Sequence, residues 1–354
     1  MVSEAALRGY LLEEVLAWLL RNSGYELLSA ADDVDALKMT PRGLAVRGRG
    51  AWHQADVLGE FRYVPPFSLP VRLFLEAKFT RNKCGLGVVR NGHGVVHDVN
   101  ENLVSVRRPS GGEVSGERPR RPRASYRYSY ALFSTSGFTA DAQMYALAHQ
   151  LSLIDLSIVE FREMTDAVAE ATRVIHPIVQ ASPGFQALIS VKTIREAFRL
   201  KLNDEFVPAD GVHVNVALSL DALAGSLRRR STFGLVLAFP AAPFVLGLVA
   251  DNLRSVVNYC LERPTHQVNI RPVYRSAGDR TWTVSPVARP DAYRMTFGLP
   301  RHLEQWIADQ DEGTRSRVRW AKENLLSAMT IYWLDDGHAH VFRLQYVPSA
   351  LRRG

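Results

Sequence analysis

The chain opens on a run whose apolar positions recur with helical spacing. Leu7, Leu11, Val15 and Leu19 fall on one face of residues 3–22. Ser3 stands where a hydroxyl caps a first turn, Glu4 follows it, and Gly24 marks the stop. The pattern then shortens. Residues 37–46 predict a hairpin turning at Pro41-Arg42-Gly43. Residues 52–81 hold two apolar runs around a Pro-rich connector, which predicts two strands and a longer loop. A helix is expected over 88–103 and a buried, aromatic-rich strand over 126–135. Thr139 then caps a helix carrying Ala142, Tyr145, Ala146 and His149, and a short strand follows at 152–157. Strand, helix, strand is a crossover unit, so parallel pairing is expected there.

The second half alternates less clearly. Residues 212–220 read as a strand, and helices are expected at 186–201, 250–262 and 301–327. QVNIRPVY, TWTVSPV and the pair TIYWL and HVFRLQYV read as strands, the last two joined by an Asp336-Gly337 turn. Residues 233–250 carry no charge, yet Gly234, Pro240, Pro243 and Gly247 interrupt them. A strand, a Pro-rich turn and the start of a buried helix are expected there, and no membrane span.

Length adds a domain count: 354 residues suggest two domains, and 47% hydrophobic residues suffice for their cores. Cys84 and Cys260 form no disulfide or zinc pattern, and residues 1–14 do not resemble a signal peptide, so a cytoplasmic location is expected. The formal charge of +7 is uneven. Residues 107–123 hold Arg107, Arg108, Arg118, Arg120, Arg121 and Arg123 against Glu113 and Glu117. The Gly-, Pro- and Ser-rich segment 107–125 reads as a mobile insertion that clasps a polyanion, or as a plain surface loop. Arg47 and Arg49, among the glycines before Asp56, are further phosphate candidates, and Arg90 leans from the expected helix. His53 reads as a hydrogen-bonding bystander, while Glu14, Asp98 and Glu101 read as residues of solvated helix surfaces.

The chemistry concentrates in RLFLEAKF. Side chains alternate along a strand, so Glu76 and Lys78 share one surface while Leu75, Ala77 and Phe79 take the other. With Asp56 from the preceding run, the sheet offers two carboxylates and an ammonium. Hard divalent cations take oxygen ligands, and a nearby Lys suits phosphodiester hydrolysis. The plain alternative is an ion pair, Glu76–Lys78 or Asp56–Lys78. No P-loop, dinucleotide fingerprint or nucleophile elbow is present.

Asp56 followed by Glu76-Ala77-Lys78 resembles the active-site signature of the PD-(D/E)xK nucleases, in particular the Mrr-like branch of restriction endonucleases. LEEVLAWLLRNSGY is similar to that family's opening helix, with Glu13 at its helix carboxylate. GLGVVRNGHGVVHDVNEN and YALFSTSGFTADAQMYALAHQLSLID resemble the parts after its catalytic strand. Ala55 stands where the name-giving Pro would be. The resemblance implies an α/β fold, a restriction-endonuclease-like mixed sheet flanked by helices over 1–160, leaving a C-terminal α+β domain over 161–354 for recognition or assembly. It implies Mg²⁺ (or Mn²⁺) on Asp56 and Glu76 with the Ala77 carbonyl, Lys78 orienting the attacking water, and Glu13 completing the shell. The partner would be DNA, in restriction or anti-phage defence, alongside further copies or other defence proteins. Alternatives are a non-catalytic DNA-binding or assembly subunit and a branched-DNA resolvase.

If 107–123 is a clasp, half of its six arginines would neutralise phosphates at once. Deleting it should flatten the slope of log affinity against log salt by about 2 to 3 units, leaving sequence preference and folding unchanged. DNA binding of wild type and deletion across a salt series measures this. Identical slopes would leave the basic second half as the DNA-holding surface.

Overall fold

The computed structural model describes residues 2–41, 43–62, 64, 69–101, 126–181, 189–208, 211–229, 234–242, 245–274, 280–299, 301–308, 314–335 and 338–346. The Arg-rich segment and the Asp336-Gly337 turn lie outside them.

Helix α1 (Glu4–Asn22) is capped by Ser3, whose side chain accepts from the Ala6 N–H at 3.2 Å. It buries Leu7, Leu11, Val15 and Leu19 at under one-tenth exposure, as their spacing predicted. Strands β1 (Tyr25–Leu27), β2 (Leu37–Thr40), β3 (Gly43–Arg47) and β4 (Trp52–Gln54) follow. The hairpin β2–β3 extends through β4 into a small three-stranded sheet. Residues 52–61 are not one strand. Ala55 and Asp56 separate β4 from β5 (Val57–Phe61), and β5 belongs to another sheet.

That sheet is mixed. It runs β1-β5-β6-β7-β8, with β6 (Val71–Lys78), β7 (Arg127–Ser134) and β8 (Ser152–Asp155) parallel and the first three strands antiparallel. The β7–β8 crossover passes through α3 (Ala140–Ala148), which Thr139 caps. Alternation assigns the two faces. Val57, Leu73, Leu75, Ala131 and Phe133 look into the core built on α1. Leu58, Phe74, Tyr130 and Leu132 look into the core under α2 (Leu86–Asn100) and α3.

The α1 core runs on past residue 160, through α4 (Val159–Ala181), α5 (Val191–Leu202) and α6 (Val214–Arg229). The expected strand at 212–220 is the start of α6. Val212, Val216, Leu220, Leu223 and Leu227 are all buried, and that three-to-four spacing outlasts the short stretch that mimics alternation.

Strands β9 (Gly234–Pro240), β10 (Leu246–Ala250), β11 (Thr265–Tyr274), β12 (Arg280–Pro286), β13 (Met295–Phe297), β14 (Ala328–Asp335) and β15 (His338–Tyr346) close into a barrel, in the order β10-β13-β12-β11-β15-β14-β9. Residues 246–250 are thus a strand and not a helix start: buried Leu246, Leu248 and Ala250 alternate, and helix α7 (Leu253–Glu262) begins only after the Asn252 cap. The expected helix at 301–327 is two, α8 (Arg301–Ala308) and α9 (Thr314–Asn324). Among the described residues no helix is long and apolar enough to cross a membrane. The fold is a mixed α/β structure that includes a barrel which the alternation pattern did not foretell.

The barrel docks on the sheet through aromatic rings. Phe61 of β5 meets Tyr25 at 5.0 Å and Tyr332 at 4.7 Å between centroids, and Tyr332 meets Phe239 at 5.5 Å.

At the start of β6, the Arg72 side chain is 2% exposed and donates to Asp33 at 2.8 Å, Glu60 at 2.9 Å and the Tyr128 hydroxyl at 3.0 Å. Arg72→Met leaves two half-buried carboxylates without their cation and should cost about 3 kcal/mol. Urea unfolding measures the loss, and neutralising Asp33→Asn and Glu60→Gln in the same chain should recover most of it. No recovery would assign the cost to packing.

Candidate active site

Asp56 occupies the bend that opens β5. The antiparallel register sets Val57 against Leu75, which brings Asp56 beside Glu76. The Ala77 N–H donates to Asp56 Oδ2 at 2.9 Å. Glu76 and Lys78 share the face that strand alternation assigns them, with Glu76 Oε1 2.5 Å from Lys78 Nζ. The ion pair foreseen for these residues is therefore formed, next to Asp56. Ala77 packs its methyl into the opposite core and spends its N–H on Asp56.

A third strand contributes a residue that the motif did not contain. Tyr130 of β7 pairs with Phe74 in the parallel register and stacks on it at 5.9 Å. Its hydroxyl donates to Glu76 Oε2. Burial raises the Tyr130 hydroxyl's pKa, and the Glu76 charge raises it further, so the phenol keeps its proton and stays a donor. Helix α2 leaves room for this ring only because residue 92 is glycine: a Cβ there would stand 2.3 Å from Tyr130 Cζ.

The electrostatics bind four elements into one site. Burial, more than any other cause, raises the Asp56 pKa. The Ala77 N–H and Lys78 oppose the rise, and the Glu76 charge supports it. Burial alone would lower Lys78, yet the hydrogen bond and charge of Glu76, with Asp56, leave it raised and cationic. Glu13 is pushed up from 4.5 to about 7, by burial first and by the Asp56 charge second, against the pull of Arg195. Its Oε2 lies 2.8 Å from Arg195 Nη1.

Arg195 comes from α5 and had no signature in the sequence. Its Nε donates to Glu14 at 2.7 Å, and Arg199 one turn on gives Glu14 two more hydrogen bonds of 2.9 Å. Glu14 is 2% exposed and so is no solvated surface residue. Two adjacent buried carboxylates repel each other unless a cation stands between them, and α5 delivers it.

Asp98 also departs from its expected solvated setting. Its carboxylate accepts from the Gly50 and Ala51 N–H groups at 2.8 and 3.2 Å and lies 2.7 Å from His53 Nε2. The His53 bond, then the Gly50 N–H, hold the Asp98 carboxyl below its usual range. The glycine turn carrying Arg49 is thereby anchored to α2. Glu101 is exposed as expected and pairs with Arg49 at 3.0 Å. Arg47 ends β3 and is exposed, and the Arg90 guanidinium stands 5.5 Å above the Tyr145 ring. Arg107, Arg108, Arg118, Arg120, Arg121 and Arg123 lie outside the described residues.

Among the described residues no three His, Cys, Asp or Glu side chains form a ready ligand group for a metal. The donor set at the site nevertheless fits a hard cation. Asp56 and Glu76, adjacent across β5 and β6, offer only oxygen, and the upward shift that Asp56 draws from the Glu76 charge marks negative charge that a divalent ion would offset.

No family model matches the chain, and no curated protein matches it. A solved structure described as "Crystal Structure of Protein of Unknown Function AF1548" aligns with 62% of this chain and 97% of its own, at 15% identity and a TM-score of 0.31.

The raised Glu13 makes a signed prediction. The folded protein holds this proton more tightly than the unfolded chain, so unfolding releases it and stability falls as pH rises from 4.5 to about 7, then levels. Asp56 adds a slope of the same sign. In Glu13→Gln, the fall across that window should be shallower. Denaturation midpoints at a series of pH values without divalent ions test it, and equal slopes in both proteins would remove Glu13 as the source.

Proposed function

We propose that this chain is a metal-dependent endonuclease of the PD-(D/E)xK superfamily, Mrr-like, with a restriction-endonuclease-like core formed by the sheet β1-β5-β6-β7-β8. The observation that carries the reading is the junction of Asp56 with Glu76-Ala77-Lys78. The carboxylate of one strand entry is held by the backbone of the other strand, with the lysine ion-paired on the same face. The site lies at the carboxyl end of β6, beside parallel β7, where open α/β sheets place their ligands.

Asp56 and Glu76 would hold Mg²⁺ or Mn²⁺, with the Ala77 carbonyl and Glu13 as supporting oxygens. Bound there, the ion supplies Lewis-acid polarisation of the phosphoryl group. The protein's own residues account for the rest. Lys78, kept cationic by two carboxylates, orients the attacking water and stabilises charge developing on the phosphoryl oxygens. Tyr130 fixes the rotamer of Glu76. The substrate would be DNA, in restriction or defence.

A second reading has an observation in its favour. The ion pair with Lys78 and the Tyr130 hydrogen bond give Glu76 a structural role as well, which suits a DNA-binding or assembly subunit that does not cut.

Supercoiled plasmid incubated with Mg²⁺ or Mn²⁺, or with a chelator, distinguishes the two. Nicking that needs the metal and is lost in Glu76→Gln, with DNA binding kept or slightly stronger, supports the nuclease. Binding without nicking under any divalent ion supports the second reading. Unchanged cleavage in Glu76→Gln would reject the site.

A further inference from the structure

One edge of the mixed sheet is β8, and a cleft separates it from the barrel. Phe138, Leu153 and Phe161 line the cleft from the sheet side, and Leu246 and Leu299 from the barrel side. It encloses about 80 Å³, so its occupant is small. Gly298 belongs to the barrel wall. A Cβ there would meet nothing closer than Ile158 at 3.5 Å, an ordinary contact, so the backbone does not demand a glycine at this position.

The apolar walls carry a carboxylate. Asp155 ends β8, is half-buried, and lines the cleft beside Gln143 of α3. Its Oδ1 accepts from the Ser157 N–H at 2.8 Å and from the Ser157 hydroxyl at 2.5 Å. Its Oδ2 stands over Gly137, where a Cβ would come within 2.6 Å of it. Among the described residues no group donates to that oxygen. A purely apolar occupant would strip its water and replace no hydrogen bond, so the occupant has to bring a donor.

Register places the cleft relative to the candidate active site. Lys78 pairs with Ser134, and Ser134 with Asp155, along the two parallel ladders. The three side chains therefore share the sheet face that carries Glu76, at the carboxyl ends of adjacent strands. Asp155 lies two strand spacings from Lys78, about 10 Å, which is roughly three base steps along a duplex.

We propose that this cleft binds a pyrimidine base with an exocyclic amine, cytosine being the type. The ring lies between the sheet wall and the barrel wall, and the amine donates to Asp155 Oδ2. A carboxylate accepts from the cytosine amine and repels the carbonyl that thymine carries in its place. The small space favours one ring over a fused pair. The base belongs either to a free nucleoside or to a nucleotide turned out of DNA lying on the candidate site. Only the second source rests on the nuclease reading.

The test uses the full chain carrying Glu76→Gln, in chelator, so that no cleavage intervenes. In saturation-transfer NMR, 2′-deoxycytidine should bind with roughly millimolar affinity, and thymidine about fivefold more weakly or less. Asp155→Asn keeps an oxygen for Ser157 and turns an amide donor to the cleft, so it should reverse the preference. A merely structural Asp155 would change both affinities alike. Gly298→Leu fills the cleft and should abolish both, with thermal unfolding unchanged. If that variant unfolds early, the Asp155→Asn reversal decides. Two duplexes separate the sources. One with cytosine opposite an abasic gap should bind about tenfold tighter than its fully paired counterpart if the base comes from DNA. Equal affinities, with deoxycytidine still bound, assign the cleft to the free nucleoside. No binding of deoxycytidine, an unchanged preference in Asp155→Asn, or tighter binding of benzylamine than of deoxycytidine would each overturn the proposal. Metal-dependent nicking by the wild type is read separately. Nicking without base binding rejects the cleft alone, and base binding without nicking rejects only the nuclease reading.

Discussion

One guanidinium holds the molecule's first helix to its interior. Glu13 and Glu14 are adjacent on α1, both shielded from water, and each ion taken out of water costs several kcal/mol before pairing. Arg195 spans them, and Arg199 completes the coordination of Glu14. The bridge fixes the rotation of α1 about its axis. That rotation decides which residues of α1 meet the sheet, and it aims Glu13 towards Asp56. The candidate site therefore relies on a contact between residues 181 positions apart.

The sheet translates this placement into chemistry through alternation. Leu75 and Ala77 are committed to the α1 core, so Glu76 and Lys78 must face the other way, towards Tyr130. Tyr130 reaches Glu76 because β6 and β7 run parallel in a register that sets Phe74 beside it. Each polar group at the site is therefore placed by an apolar neighbour whose burial leaves it no choice of face.

What could be read in advance follows the range of the forces involved. Helix α1, the β2–β3 hairpin, the Thr139 cap and the parallel β7–β8 unit rest on residues a few positions apart, and their patterns were legible. Asp56, Glu76 and Lys78 were legible too, since strand alternation is local. Tyr130 was half legible: its strand was expected, but its register against β6 is a tertiary fact. Arg195, the Asp98 anchor and the barrel were not. Nothing near Arg195 distinguishes it from any surface arginine of an amphipathic helix. Residues 212–220 misled because Val212, Val214 and Val216 alternate while Val212, Val216 and Leu220 also share a helix face. Only the continuation to Leu227 separates the two periods.

The apolar floor between the sheet and the barrel has a bearing on synthesis. Leu16, Leu19, Leu20, Leu75 and Phe133, with Ser23, line a small hollow that Leu237 of β9 closes from the barrel side. Those first five residues leave the ribosome roughly a hundred positions or more before Leu237 does, at about 5 to 20 residues per second. For several seconds the nascent chain therefore carries an assembled sheet with one greasy face unroofed. During that interval a chaperone or a neighbouring nascent chain competes with β9 for the same leucines.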